Sequence, residues 1–156
     1  MTQVDEPGPG STPGGPEPML IYLVKQIELA IRSSLEDLIR PEGLTALQYT
    51  ALTVLERHPG LSTAQLARNS FVTSQSMTDM ITALGSRGLI ERTRDAHDRR
   101  RLVVALTPKG RELLDNYRDE IAAMEAQMTA GLTHVQVARL RRSLNACYAN
   151  LTDGHS

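Results

Sequence analysis

One change of hydrophobic period, at Arg87 and Gly88, constrains the fold of this chain more than any other feature. Upstream of it, apolar residues recur at three- and four-residue intervals, the period of amphipathic helices. Downstream, GLIERT and LVVAL are short β-branched or alternating runs on either side of a charged stretch, which predicts a hairpin. The helical text just before the change is itself broken. STAQ, Ser62 to Gln65, has the form of a capping box and opens a short helix through Arg68. After NSFV, Thr73 is placed to cap another helix with Met77, Met80, Ile81 and Leu84 turned inward. Two helices joined by a tight turn form a helix-turn-helix, and a hairpin directly behind them makes it winged.

Longer helical phrases flank this centre. Leu20, Leu23, Val24, Ile27, Ile31, Leu35 and Leu38 mark a first helix, about 19–40, that ends before Pro41. TALQ, Thr45 to Gln48, reads as a capping box for a second, with Leu47, Ala51, Leu52 and Leu55 on its stripe and His58, Pro59 and Gly60 as its stop. In TPKG, Thr107 is the N-cap and Pro108 the first helical residue of a long helix, 108–130, carrying Leu113, Leu114, Ile121 and Met124. THVQ, Thr133 to Gln136, caps a last helix, 133–151, with Val137, Leu140, Leu144, Cys147 and Tyr148 near one face. The expected fold class is therefore mainly α with one small β-hairpin. A winged helix-turn-helix at about 44–107 stands between long dimerisation helices within a single domain, 19–151. The outer stripes exceed what so small a core can cover, which predicts a homodimer. Residues 1–18 hold five of the eight prolines and four of the eleven glycines, with almost no apolar side chains. They are expected to be a disordered tail, and 152–156 a second short tail.

Composition narrows the function. No run approaches the ~18 apolar residues of a membrane span, and no basic start followed by an apolar block suggests a secretory signal. One cysteine allows no intrachain disulfide, so the reading is a cytoplasmic protein. Cys147 lies on an apolar stripe, where a buried structural thiol is the favoured reading over a redox sensor. The four histidines, His58, His97, His134 and His155, never pair at a metal-ligand spacing. No nucleophile–base pair or carboxylate constellation points to an enzyme, and no motif calls for a cofactor.

Charge points to a partner. The chain carries a formal net charge of −1, yet residues 62–101 hold seven Lys/Arg against four acids. Five of the seventeen basic residues fall within RTRDAHDRRR, Arg92 to Arg101. Cations that close repel one another unless a polyanion joins them. On the preceding helix, Thr73, Ser74, Gln75, Thr78, Asp79, Thr82 and Ser86 point outward, a face of hydroxyls and an amide suited to base edges in a major groove. The two features together predict contact with double-stranded DNA. Arg94, Arg99 and Arg101 are the expected phosphate contacts.

LTALQYTAL, LSTAQLARNSFVTSQSMTDMITALGSRGLIER and especially DAHDRRRLVVALTPKG resemble the MarR family, the multiple antibiotic resistance regulators. The resemblance covers about Leu44 to Gly110, and the flanking helices agree with it. It implies a winged-helix homodimer that binds pseudo-palindromic DNA, usually as a repressor released by a small ligand or by oxidation. By position, Arg100 resembles the wing-tip residue of the minor groove, Asp98 the acid that orients its guanidinium, and Arg99 their neighbour. Ser74, Gln75 and Thr78 match base-reading positions. Asp79 departs from the basic or small residue that many relatives carry. The resemblance also implies a small aromatic or phenolic effector, with Tyr22, Gln26 and Tyr49 lining its pocket; packing in a core or interface is the other reading of these three. Two alternatives stay open: a winged-helix module for protein–protein contact without DNA binding, and an oxidation-sensing repressor using Cys147.

Overall fold

A computed structural model of the chain describes residues 16–70 and 72–153. The expected disordered tail lies outside these residues up to position 15, and Pro16 to Met19 carry no regular structure. The chain divides into two compact units, Met1–Ala46 and Leu47–Ser156.

The first unit is built on α1 (Leu20–Ile39), followed by a 3-10 turn at Arg40–Glu42. Pro41 sits at the start of that turn, where its missing N–H costs nothing, and Gly43 closes it in the left-handed region at φ 67°. Leu35 and Ile39 are buried. By contrast Leu20, Ile21, Tyr22 and Val24 are more than half exposed, so the N-terminal turns of the stripe are uncovered among the described residues. Glu28 pairs with Lys25 and Arg32 along one face.

In the second unit, α2 (Ala46–Arg57, its first residue in the first unit), α3 (Thr63–Asn69), α4 (Ser74–Ser86) and α5 (Pro108–Asn116) accompany a two-stranded sheet, β1 (Ile90–Arg94) and β2 (Leu102–Leu106). The strands pair antiparallel in the register Ile90↔Leu106 to Arg94↔Leu102. An isolated bridge joins Leu61 to Val104 and adds a fragment of third strand. Leu52, Leu55, Leu66, Met77, Ile81, Leu84, Leu89, Val104 and Leu114 are all buried. Enclosing one such side chain is worth about 1.5–3 kcal/mol, so these residues form the core of the unit. On α2, Ala51, Leu52 and Leu55 are buried as expected, whereas Leu47 is exposed and Tyr49 is buried. Tyr49, Leu52 and Leu55 then share a stripe, and the Tyr49 ring meets that of Tyr117 edge-on, centroids 6.5 Å apart.

The long helix expected over 108–130 is interrupted once. Tyr117, at φ −107° and ψ 4°, ends α5, and α6 (Arg118–Met128) restarts from its carbonyl. Both residues at the break are anchored sideways, Tyr117 on Tyr49 and Arg118 by ion pairs to Glu56 and Asp115. These lateral contacts account for the bend better than any local helix breaker, since neither Pro nor Gly is present. In α7 (His134–Thr152) the Thr133 capping box forms as expected, yet no residue of the helix is buried. Leu140, Leu144 and Tyr148 are exposed, and so is Cys147, correcting its assignment as a buried thiol. The reason is that this stripe finds no apolar cover among the described residues. Thr152 still belongs to α7, and the end of the second expected tail, 154–156, lies outside the described residues.

Candidate nucleic-acid interface

The helix-turn-helix is set by its caps. At the start of α3, Ser62 Oγ accepts from the Gln65 N–H at 3.2 Å and Gln65 Oε1 from the Ser62 N–H at 3.0 Å. Ser70, fully buried, closes α3 by donating its N–H to the Leu66 carbonyl at 2.9 Å. Thr73 then opens α4, its Oγ accepting the Ser76 N–H at 3.1 Å. With Met77, Ile81 and Leu84 buried and Met80 half-buried, Ser74, Gln75, Thr78, Asp79 and Thr82 are left on the exposed face. The hydroxyls of Thr78 and Thr82 donate to the carbonyls of Ser74 and Thr78, at 3.0 and 3.1 Å. Their oxygens keep lone pairs directed outward, so in this state they present acceptors to a base edge. Backbone N–H groups of the first helical turn, beyond the one Thr73 satisfies, can meet a phosphate.

The wing is the loop Asp95–Arg101, closed at its base by the Asp95 N–H donating to the Arg101 carbonyl at 2.9 Å. Two aspartates fold the tip. Asp95 Oδ1 accepts from the His97 N–H at 2.8 Å, and Asp98 Oδ1 from the Arg100 N–H at 3.0 Å. The expected grip of Asp98 on the Arg100 guanidinium is thus replaced by a bond to its main chain. An aspartate reaches the N–H two residues on with little loss of freedom, whereas a long arginine arm must be immobilised to pair. Arg99 and Arg100 are exposed at the tip. Arg94 is exposed too but braces the loop, donating to the Arg99 carbonyl at 3.2 Å. Arg101 is half-buried, its guanidinium donating to Gln65 Oε1 on α3. That contact was not legible in the sequence, where Gln65 reads only as a capping residue. The His97 N–H holds the Asp95 carboxyl below the usual carboxylate range, and the charge of Arg101 adds to the effect.

Of the three residues expected around an effector, Tyr22 and Gln26 are exposed on α1. Tyr49 is buried against Tyr117, and burial pushes its hydroxyl above the ordinary tyrosine range. A cleft of about 220 Å³ between α4 and β1, lined by Ile81, Thr82, Gly85, Ile90, Glu91 and Arg92, includes none of the three.

Capped helices, a short turn and a hairpin with an arginine tip define a winged helix-turn-helix of the transcription-regulator class. The sequence pattern of the MarR family matches residues 42–101. The chain is 32% identical over 123 residues to the HTH-type transcriptional repressor Rv2887 of Mycobacterium tuberculosis, covering 79% of this chain and 88% of that one. It belongs to the MarR family. Among solved structures, it is similar to a MarR family transcriptional regulator from Silicibacter pomeroyi, with a TM-score of 0.83 at 24% identity over 95% of this chain and 99% of that one. It is also similar to the Mycobacterium tuberculosis Rv2887 protein in complex with salicylic acid, with a TM-score of 0.66 at 30% identity over 84% and 97% of the two chains.

Proposed function

We propose that the protein is a sequence-specific repressor that binds double-stranded DNA as a homodimer on a pseudo-palindromic operator. The observation that carries this reading is the exposed Arg99–Arg100 pair at the tip of a hairpin that is folded by its own aspartates and set directly behind α4. Arginine is favoured in a narrow minor groove by its concentrated negative potential. There Arg100 enters the groove, Arg99 contacts phosphate, and Ser74, Gln75 and Thr78 face base edges from α4. Thr73 and Asp98 serve this interface by ordering α4 and the tip. A winged-helix module that binds only proteins has no use for two free arginines at its tip.

The exposed stripes of α1 and α7 support the homodimer, since each leaves several large apolar side chains in water. A dimer sets two copies of α4 in successive major grooves, about 10 base pairs apart. Release by a small aromatic or phenolic acid is supported by the salicylic acid complex of the Rv2887 protein. Such a ligand acts by favouring a spacing of the two α4 helices that no longer fits the groove. The setting we infer is the cytoplasm; no helix among the described residues is long and apolar enough to cross a membrane. Selection of bound fragments from the organism's own genome, followed by titration at several salt concentrations, tests the reading. One preferred sequence and a steep salt dependence are expected. Binding of all fragments alike, or of none, overturns it.

A further inference from the structure

Gln65 and Arg101 are 36 positions apart, yet the Arg101 guanidinium donates to Gln65 Oε1. The same oxygen accepts the Ser62 N–H in the α3 capping box. One acceptor therefore serves both the start of α3 and the base of the wing. A second tether lies three residues along β2, where the Val104 N–H donates to the Leu61 carbonyl at 2.8 Å. A single tether leaves a swivel, whereas two neighbouring ones fix direction as well as position. Arg101 also closes the tip through its own main chain, its N–H donating to the Asp98 carbonyl at 3.0 Å and its carbonyl accepting from Asp95 at 2.9 Å. On the β2 side of the wing, Arg101 thus stands between the free arginines at the tip and the helix-turn-helix. The acceptor is a neutral amide, so the guanidinium is held without its charge being cancelled, and the wing keeps its positive field.

We infer that Arg101 is a positioning residue, latched to Gln65, that sets the angle of the wing against α3 and so the reach of Arg99 and Arg100 relative to α4. The role rests on the DNA-binding reading above, but its geometry can be tested without DNA. The latch prepays the ordering of the tip that binding otherwise requires.

The experiment has two arms on the full chain, with Gln65→Ala, Arg101→Ala, the double variant, and Ser62→Ala as the control that breaks the capping box but leaves the latch. In the free protein, amide exchange at Arg100 and Arg101 should quicken in Gln65→Ala and not in Ser62→Ala; equal rates in the parent and Gln65→Ala overturn the latch, whatever the protein binds. In the second arm, a duplex selected by the parent from a random library is titrated at several salt concentrations. Gln65→Ala should weaken binding about fivefold, a typical value for lost preorganisation, with an unchanged salt slope because no charge is removed. The double variant should bind no more weakly than Arg101→Ala, since either change opens the same latch. If Gln65→Ala binds like the parent while Arg101→Ala lowers the salt slope by about one unit, Arg101 is a phosphate contact and the inference falls. A parent chain that binds neither the selected nor a random duplex overturns the DNA-binding reading itself, and with it the role given to the latch.

Discussion

Gly110 lies so close to the Leu89 carbonyl that a β-carbon at position 110 would sit 2.2 Å from its oxygen. That oxygen already accepts the Thr107 N–H at 3.1 Å, and Thr107 Oγ donates to the Gly88 carbonyl at 2.5 Å. The start of α5 is thereby locked onto the segment that leads from α4 into β1. Gly110→Ala must push two backbones apart, at a cost of about 1–3 kcal/mol or more as for other overpacked sites. Denaturant unfolding should show the loss directly. A midpoint equal to that of the parent would mean the contact relaxes without strain.

Among the described residues Arg100 makes no side-chain bond that holds the fold, so Arg100→Ala should separate binding from stability. Operator affinity should fall by about 1–3 kcal/mol per half-site, as for a lost specific contact. Lysine should rescue poorly, because an ammonium is more strongly hydrated and lacks the planar fork. Thermal unfolding should stay near that of the parent. Unaltered operator affinity would remove Arg100 from the interface.

Thr73 caps α4 and also borders the proposed DNA surface, and two substitutions distinguish these roles. Thr73→Ala removes the acceptor for the Ser76 N–H and should cost about 1 kcal/mol of stability. Thr73→Asp keeps an acceptor at the cap but brings a negative charge to the phosphates. It should unfold like the parent and bind DNA more weakly. Equal DNA affinity in Thr73→Asp and parent would place the cap away from the phosphates.

The Asp95 carboxyl titrates below its ordinary value in the folded wing, chiefly because it accepts the His97 N–H. A depressed folded value means its contribution is complete above the unfolded pKa, about 4, and is lost as pH falls through the folded value. Wing order should therefore hold at neutral pH and decline only in acid. The His97 amide resonance should follow this titration, and Asp95→Asn, which keeps an acceptor but no titrating group, should flatten it. A His97 amide insensitive to acid would remove Asp95 as the fold of the tip.

Assembly can be read by sedimentation. At micromolar concentration the protein should run at about twice its chain mass of 17.1 kDa. Leu144 is 46% exposed on α7, and Leu144→Glu should shift the protein toward monomer by placing a charge where apolar contact is expected. A parent chain that sediments as a monomer would sink the homodimer.

The local elements were legible in the sequence because their determinants are local. Thr73, Thr107 and Thr133 cap the helices they precede, and the Ser62–Gln65 and Thr133–Gln136 boxes close as their spacing requires. The switch from a helical to an alternating period at Gly88 likewise marks the turn from α4 into the hairpin. The exposed hydroxyl face of α4 and the arginine tip follow from the same periodicity. What the sequence alone could not decide are relations between distant residues. The inward turn of Tyr49 and the break at Tyr117 depend on two rings meeting across 68 positions of chain, Tyr49 to Tyr117. The Arg101 guanidinium meets Gln65, 36 positions away, only because the returning strand carries it there. Periodicity and capping report the nearest few residues, whereas these contacts arise when folding has already brought separate elements together, so only the tertiary structure could choose between the partners each side chain had open to it.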